Sequence, residues 1–283
     1  MYDFNKTIIM STRNDKPRPM KEDEYLGEDG FYYCKKCKTP RQCIGFFEDR
    51  KVNCLCKCQE DERNAQNAIE EEKRKRARIQ ELIQKSLLGT RYLNATFENT
   101  ETGFNPSFDE AYKRCKKFCE VAPEVCKKGY GIYMFGEKGT GKTHLTACMV
   151  NELTANLYEC LLTNFFEISR EIRSTYSDRR KSEEEYIKRM AKVDFLFIDD
   201  LGTELVQRNG EDNFLQEKIF EIINLRYNNN KPTIFTSNNS LNDLIKDRGF
   251  MPKTVDRIYD MTKTAIMKIT GQSYRMREAE KLF

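Results

Sequence analysis

An apolar stretch, Gly131-Ile132-Tyr133-Met134-Phe135, runs directly into Gly136-Glu137-Lys138-Gly139-Thr140-Gly141-Lys142-Thr143, which has the spacing GxxxxGK[ST] of a phosphate-binding loop. Strand, glycine-rich turn and helix in that order constrain the chain to an α/β sheet. Three glycines let the backbone turn tightly enough to aim consecutive N–H groups at phosphate oxygens. Lys142 adds a point charge, the Thr143 hydroxyl can ligate magnesium, and the helix opening at Lys142 presents its positive end, with His144 next in line. Residues 136–144 are therefore the candidate cofactor-binding set, and ATP with Mg2+ the expected cofactor.

A second strand reads out of Val193-Asp194-Phe195-Leu196-Phe197-Ile198-Asp199-Asp200, an apolar run ending in two acids. Ligands of open α/β sheets bind at such carboxyl edges. Asp199 is the candidate magnesium holder with Thr143, and Asp200 the candidate to orient or deprotonate the attacking water. A third strand, residues 232–238, delivers Asn238 to the same edge, where it can hydrogen-bond the γ-phosphate or the water. Lys142, Asp199, Asp200 and Asn238 form the candidate catalytic group.

The chain of 283 residues has room for an ATPase domain of about 150 to 200 residues and a smaller appendage. Charged residues make up 33% of it, and no apolar run reaches the roughly 18 residues that span a bilayer. The expectation is a soluble, cytoplasmic protein without membrane contact. With a net charge of +4, affinity for nucleic acid has to come from local patches.

Eleven cysteines in a reducing compartment point to thiols or metal in place of disulfides. Six crowd into Cys34, Cys37, Cys43, Cys54, Cys56 and Cys58. Two short knuckles separated by a loop suit tetrahedral Zn2+, because each offers two thiolates. Cys34 and Cys37 form the first. The second draws on Cys54, Cys56 and Cys58, with the close pair Cys56 and Cys58 preferred because it ends the segment just before a helix begins. An iron–sulfur cluster or unbound thiols are the alternatives. Cys115, Cys119, Cys126, Cys148 and Cys160 sit in apolar or helical surroundings and read as packing residues.

Three regions follow: a cysteine-rich module over residues 1–59, a helical linker over 60–96, and the ATPase domain over 97–283. The linker carries many i, i+4 charge pairs, such as Glu70 with Arg74, and Gly89 is expected to end it. Residues 97–106 are rich in turn formers, and Ser107 is the expected N-cap of a helix reaching residue 128. Beyond that point strands at 131–135, 160–163, 193–198, 232–237 and 264–269 alternate with helices, which specifies a parallel sheet covered on both faces.

The motif order resembles a family. The phosphate loop, Phe195-Leu-Phe-Ile-Asp-Asp-Leu-Gly-Thr-Glu204, Phe235-Thr-Ser-Asn238, Val255-Asp-Arg257 and Gly271-Gln-Ser-Tyr-Arg275 are together similar to the DnaC/DnaI helicase-loader branch of the AAA+ ATPases, to which the transposition helper IstB also belongs. The resemblance spans residues 97–277 and extends to the zinc module, which several loaders carry ahead of the ATPase. It implies an ATP-dependent loader, a hexameric replicative helicase as partner, self-association in the ATP state, and contact with single-stranded DNA.

The same resemblance implies that residues 166–176 are the extra helix that marks initiators and loaders and grips single strands. Arg170, Arg173 and Tyr176 then fall on one face as two phosphate donors and a stacking ring. A charged, solvated helix explains those residues equally well. Relatives often carry an arginine four positions ahead of Arg257 that acts in trans on a neighbour's ATP. This chain has Lys253 there, so the role passes to Arg257 or Arg248 or is weakened. Asp200 stands where many relatives have glutamate. Both departures suit a slow, switch-like ATPase.

Overall fold

The computed structural model describes residues 18–45, 51–177, 182–202 and 210–274. Two compact units emerge, residues 1–77 and 78–283.

The first unit contains two antiparallel hairpins, β1 (Glu24–Leu26) with β2 (Tyr32–Cys34) and β3 (Gln42–Ile44) with β4 (Lys51–Asn53). Each strand is three residues long, too short to hold a sheet by itself. Among its described residues the buried apolar side chains are Cys34, Cys54 and Cys56, so sulfur takes the place of a hydrocarbon core. Buried Glu24 accepts both guanidinium nitrogens of Arg18 at 2.7 and 2.8 Å and lies 3.6 Å from Arg41. The hydrogen bond from Arg18 holds the Glu24 carboxyl down to about 2.

The boundary between units falls inside α1 (Lys57–Lys85), between Ala77 and Arg78. Its first part is exposed and laced with pairs such as Arg76 to Glu72 at 2.9 Å, while Arg74 and Glu70 stand 3.7 Å apart in solvent. Gly89 does not end this helix. The chain leaves it after Lys85, Leu87 takes a left-handed φ of 59°, and Gly89 at φ −63° precedes a single 3-10 turn, Thr90–Tyr92. Burial of Leu82, Leu88 and Ala95 draws residues 78–96 into the second unit's packing.

In that unit α2 (Pro106–Glu120) and α3 (Ala122–Lys128) precede β5 (Ile132–Gly136), α4 (Lys142–Ala155), β6 (Cys160–Asn164), α5 (Phe165–Ser177), α6 (Glu183–Lys192) and β7 (Phe195–Leu201). Then come α7 (Gly210–Asn228), β8 (Thr233–Ser237), α8 (Leu241–Lys246), α9 (Pro252–Thr262) and β9 (Ile266–Ile269). The predicted helix over 107–128 is two helices: Val121 leaves helical geometry at φ −101°, ψ 24°, where Pro123 opens the next one. The cap is Asn105 and not Ser107. Its side chain accepts the N–H groups of Ser107 and Phe108, an arrangement worth about 1 kcal/mol.

All pairings in the sheet are parallel, in the order β6-β7-β8-β5-β9, so the phosphate loop leaves an interior strand. Alternation sorts the strands' side chains. Ile132, Met134, Phe195 and Phe197 pack against α2, α3 and α4, whereas Tyr133, Leu196, Ile198 and Phe235 pack against α5, α6, α7 and α9. Arg226 of α7 is fully buried and donates to the carbonyls of Met190 (2.8 Å), Val193 (2.9 Å) and Pro232 (2.6 Å) and to the Thr233 hydroxyl (2.9 Å).

Candidate functional site

The phosphate loop turns as its glycines require. Gly136, Gly139 and Gly141 hold φ of 145°, 82° and 97°, all in the region that side chains avoid. Contacts enforce the same choice: a Cβ on Gly136 would lie 1.9 Å from the Ile269 carbonyl, and one on Gly141 2.5 Å from the Phe108 ring. Thr140 Oγ1 donates to Glu137 O at 2.9 Å and braces the turn.

Lys142 is folded into this loop. Its Nζ donates to Gly136 O and Glu137 O, both at 2.8 Å, and to Asn238 Oδ1 at 3.1 Å. Burial lowers its pKa, with the Asp200, Asp199 and Glu137 charges opposing. An ammonium buried against three neutral acceptors is suited to an anion.

The register of β7 against β8 shifts between Ile198 and Leu201, and the two acids sit in that irregularity. Asp199 accepts the Thr143 hydroxyl at 3.0 Å and the Thr236 hydroxyl. Burial raises its pKa, the condition that an adjacent cation relieves. Asp200 takes a left-handed φ of 54° while its N–H donates to Thr236 Oγ1 at 3.0 Å, and this turns the residue onto the pocket.

One cavity of about 620 Å³ takes in Lys138, Gly139, Thr140, Gly141, Lys142, Thr143, His144, Asp200 and Asn238. That volume is within the range of small-molecule sites. Gly136 and Glu137 lie behind the lysine they hold, and Asp199 lies behind Thr143. Arg257 is not part of this lining. It rests on α9 with its guanidinium 4.5 Å from the centre of the Tyr227 ring, while Lys253 lies 4.3 Å over Phe220 and Arg248 donates to Asn239 Oδ1 at 3.2 Å. On α5, Arg170 pairs with Glu167 and lies 3.7 Å from Glu171, and Arg173 is exposed. The Tyr176 side chain, residues 203–209 with Glu204, and Arg275 lie outside the described residues.

Sequence reasoning missed the rest of the pocket wall: Arg91, Tyr92, Asn94, Thr100, Glu101, Phe104, Phe108 and Tyr274. Asn151 on α4 donates to Tyr92 O at 3.0 Å and Ala95 O at 2.7 Å, which lashes this segment beside the phosphate loop. Thr100 Oγ1 and His144 Nε2 are 2.9 Å apart, and burial lowers the histidine's pKa, which favours the neutral ring. The terminal motif containing Tyr274 was the one available signal.

In the first unit, one sulfur from each of Cys34, Cys37, Cys56 and Cys58 lies within 4.8 Å of the others. Tetrahedral Zn–S bonds of about 2.3 Å put sulfurs roughly 3.8 Å apart, so the four fit a zinc ion. Arg41 Nη2 lies 3.6 Å from Cys34 Sγ, a second-layer donor to thiolate charge. The Thr39 hydroxyl, 3.0 Å from Cys37 Sγ, holds that thiol down to about 5, whereas Cys58, hydrogen-bonded to Cys37, is pushed up to about 12. Cys54 is drawn toward Pro40 O at 3.6 Å, and neither it nor Cys43 belongs to the cluster.

A five-stranded parallel sheet with the phosphate loop on an interior strand and paired acids on the strand beyond β8 defines an ATP-binding protein of the AAA+ type. The family model described as IstB-like ATP binding protein matches residues 64–282, and the chain belongs to that family. Among curated relatives it is 29% identical to the replicative helicase loader DnaI of Bacillus subtilis, over 60% of this chain and 54% of that protein. It is 25% identical to the replicative helicase loader DnaC of Escherichia coli, over 68% of this chain and 73% of that protein. Similarity to the phage-like element PBSX protein XkdC of Bacillus subtilis is 23% over 92% of this chain and 91% of that one. The crystal structure of the DnaC helicase loader superposes with a TM-score of 0.54 at 24% identity, covering 64% of this chain and 99% of that one, which establishes the fold. Among the described residues no helix is long and apolar enough to cross a membrane.

Proposed function

We propose that this chain is an ATP-dependent loader of the replicative DNA helicase, hydrolysing ATP slowly and in response to its partners. The observation that carries the reading is the convergence of Lys142, Thr143, Asp200 and Asn238 on one cavity, with Asp199 joined to Thr143 behind it, within the 64–282 stretch that the family model matches, in a chain similar to DnaI and DnaC. Bound MgATP supplies the γ-phosphoryl group and a divalent charge. Loop N–H groups and Lys142 hold the phosphates, Thr143 and Asp199 hold the cation, Asp200 orients water, and Asn238 positions Lys142 or the water. Arg257, Lys253 and Arg248 all lie outside the lining of this cavity, and one of the three acts on a neighbour's site within a self-associated form.

Cys34, Cys37, Cys56 and Cys58 hold one structural Zn2+, and the module around them serves as the helicase-contacting or regulatory arm. The decisive experiment mixes the intact chain with the replicative helicase of its host and measures helicase transfer onto circular single-stranded DNA with and without ATP. No ATP-dependent complex with that hexamer would remove the reading. The family match favours one second reading, a helper ATPase in transposition. Stimulation of a transposase in place of helicase loading identifies it.

Asp199→Asn is expected to retain ATP affinity within a few-fold while turnover falls by about a hundredfold or more, since the cation loses its anionic ligand. Equilibrium binding and phosphate release on one preparation check it, and turnover at the wild-type rate counts against the assignment.

The α5 arginines are assigned to single-stranded DNA. Changing Arg170 and Arg173 together to Ala is expected to weaken oligonucleotide binding and flatten its salt dependence by up to about 2 in log–log slope. Anisotropy titrations at several salt concentrations give the slope. Wild-type affinity in the double variant makes α5 a solvated or protein-facing surface, to which the Arg170 pairs with Glu167 and Glu171 already lend an account.

A further inference from the structure

A strap crosses the nucleotide cavity from the far end of the chain. Thr270, just beyond β9, is pinned by Asn105 and Ser107: Asn105 Nδ2 donates to Thr270 O at 2.6 Å, and Thr270 N donates to Ser107 Oγ at 3.0 Å. Gly271 permits the approach with φ 126°, since a Cβ there would lie 2.5 Å from Asn105 Nδ2. Two residues later Ser273 packs onto the phosphate loop so closely that a Cβ on Gly139 would meet its Oγ at 2.1 Å. Tyr274 N donates to Gly139 O at 2.9 Å, and the Tyr274 hydroxyl donates to Glu101 at 3.1 Å.

Tyr274 is therefore tied at its backbone to the loop that cradles phosphates and at its hydroxyl to Glu101, another residue of the lining. Its ring lines the cavity and stands 5.6 Å from that of Phe104, which is 5.2 Å from Phe108, the ring packed under Gly141. The lining thus combines the phosphate loop and Lys142 with aromatic side chains, Tyr274 and Phe104 among them. Nucleotides combine the matching groups, a polyanion joined to a flat π-faced base.

The geometry points to Tyr274 as the stacking wall for the base of the nucleotide, at a reach from the phosphates set by its own bond to Gly139. The inference rests on the nucleotide-binding reading of the site. It makes the strap sense the base, while the loop senses the phosphates.

The test separates the two ends of the ligand by using magnesium tripolyphosphate, which has no base, beside MgATP and MgGTP. Calorimetric titration of the intact chain and of Tyr274→Phe, Tyr274→Leu and Tyr274→Ala is required, with thermal melts showing that each variant is folded. Stacking on an aromatic ring predicts that Leu and Ala weaken both nucleotides by about tenfold or more, leave tripolyphosphate within about twofold, and that Phe stays near wild type. Equal losses for tripolyphosphate and ATP would mean that the strap acts only through Gly139 and would overturn the inference. So would undiminished ATP binding in Tyr274→Ala, or a base-dependent loss on Tyr92→Leu alone, which places the base against Tyr92. Lack of ATP and tripolyphosphate binding by the wild-type chain is a different failure, that of the nucleotide reading itself.

Discussion

Lys142→Ala is expected to weaken ATP binding by a hundredfold or more, the largest effect of any single change in the nucleotide site. Its ammonium is buried before ligand arrives and is held by two loop carbonyls and the Asn238 side chain. Exchanging those neutral acceptors for phosphate oxygens converts ion–dipole hydrogen bonds into pairs of opposite charge, and truncating one partner of such a buried pair costs about 2 to 5 kcal/mol. Lys142→Arg is expected to fail as well, because a planar fork does not fit the space between Gly136, Glu137 and Asn238. Binding of a fluorescent ATP analogue decides the matter, and unchanged affinity in the alanine variant refutes the phosphate-loop assignment.

Removing one thiolate from the first unit is expected to be more drastic for folding. Its strands are three residues long, and its described buried apolar side chains are cysteines, so little besides metal is available to stabilise it. Structural zinc contributes on the order of 10 kcal/mol at neutral pH, more than so small a module gains from burial. Elemental analysis should find one zinc per chain, and Cys34→Ser or Cys37→Ser should lose it. Amide exchange in the hairpins β1–β2 and β3–β4 should then become fast while the melting of the second unit stays unchanged. A metal-free wild type with protected hairpin amides would exclude the assignment.

Most of the second unit's strands and helices were legible because both physical signals coincide there: apolar runs of strand length, and turn residues between them. Phe195 to Ile198 shows this well, four buried residues in a row, although the strand runs on through Asp199 and Asp200 to buried Leu201. The ends of elements were less legible. Gly89 has the right residue type to stop a helix, but burial of Leu82 and Leu88 bends the chain earlier, and no local pattern reports that pull. Asn105 outcompetes Ser107 as a cap because Pro106 already fixes the first helical position. The pocket's second wall was hidden for a different reason. Tyr92, Phe104 and Tyr274 come from a turn, a loop and the strap beyond β9, and only folding makes them neighbours.

Arg226 has a mechanical meaning. A guanidinium in the interior gives up its water shell only where carbonyl dipoles replace it, and here the replacements come from the end of α6, the entrance to β7 and the entrance to β8. None of the three can slide without stranding a charge in a medium of low polarity. The end of α6 and the roots of β7 and β8 thus behave as one stiff lever, with the carboxylates of Asp199 and Asp200 at the far end of β7 and Asn238 just past the end of β8. Displacing the end of α6 therefore means either breaking the Arg226 bonds or carrying the roots of β7 and β8 with it.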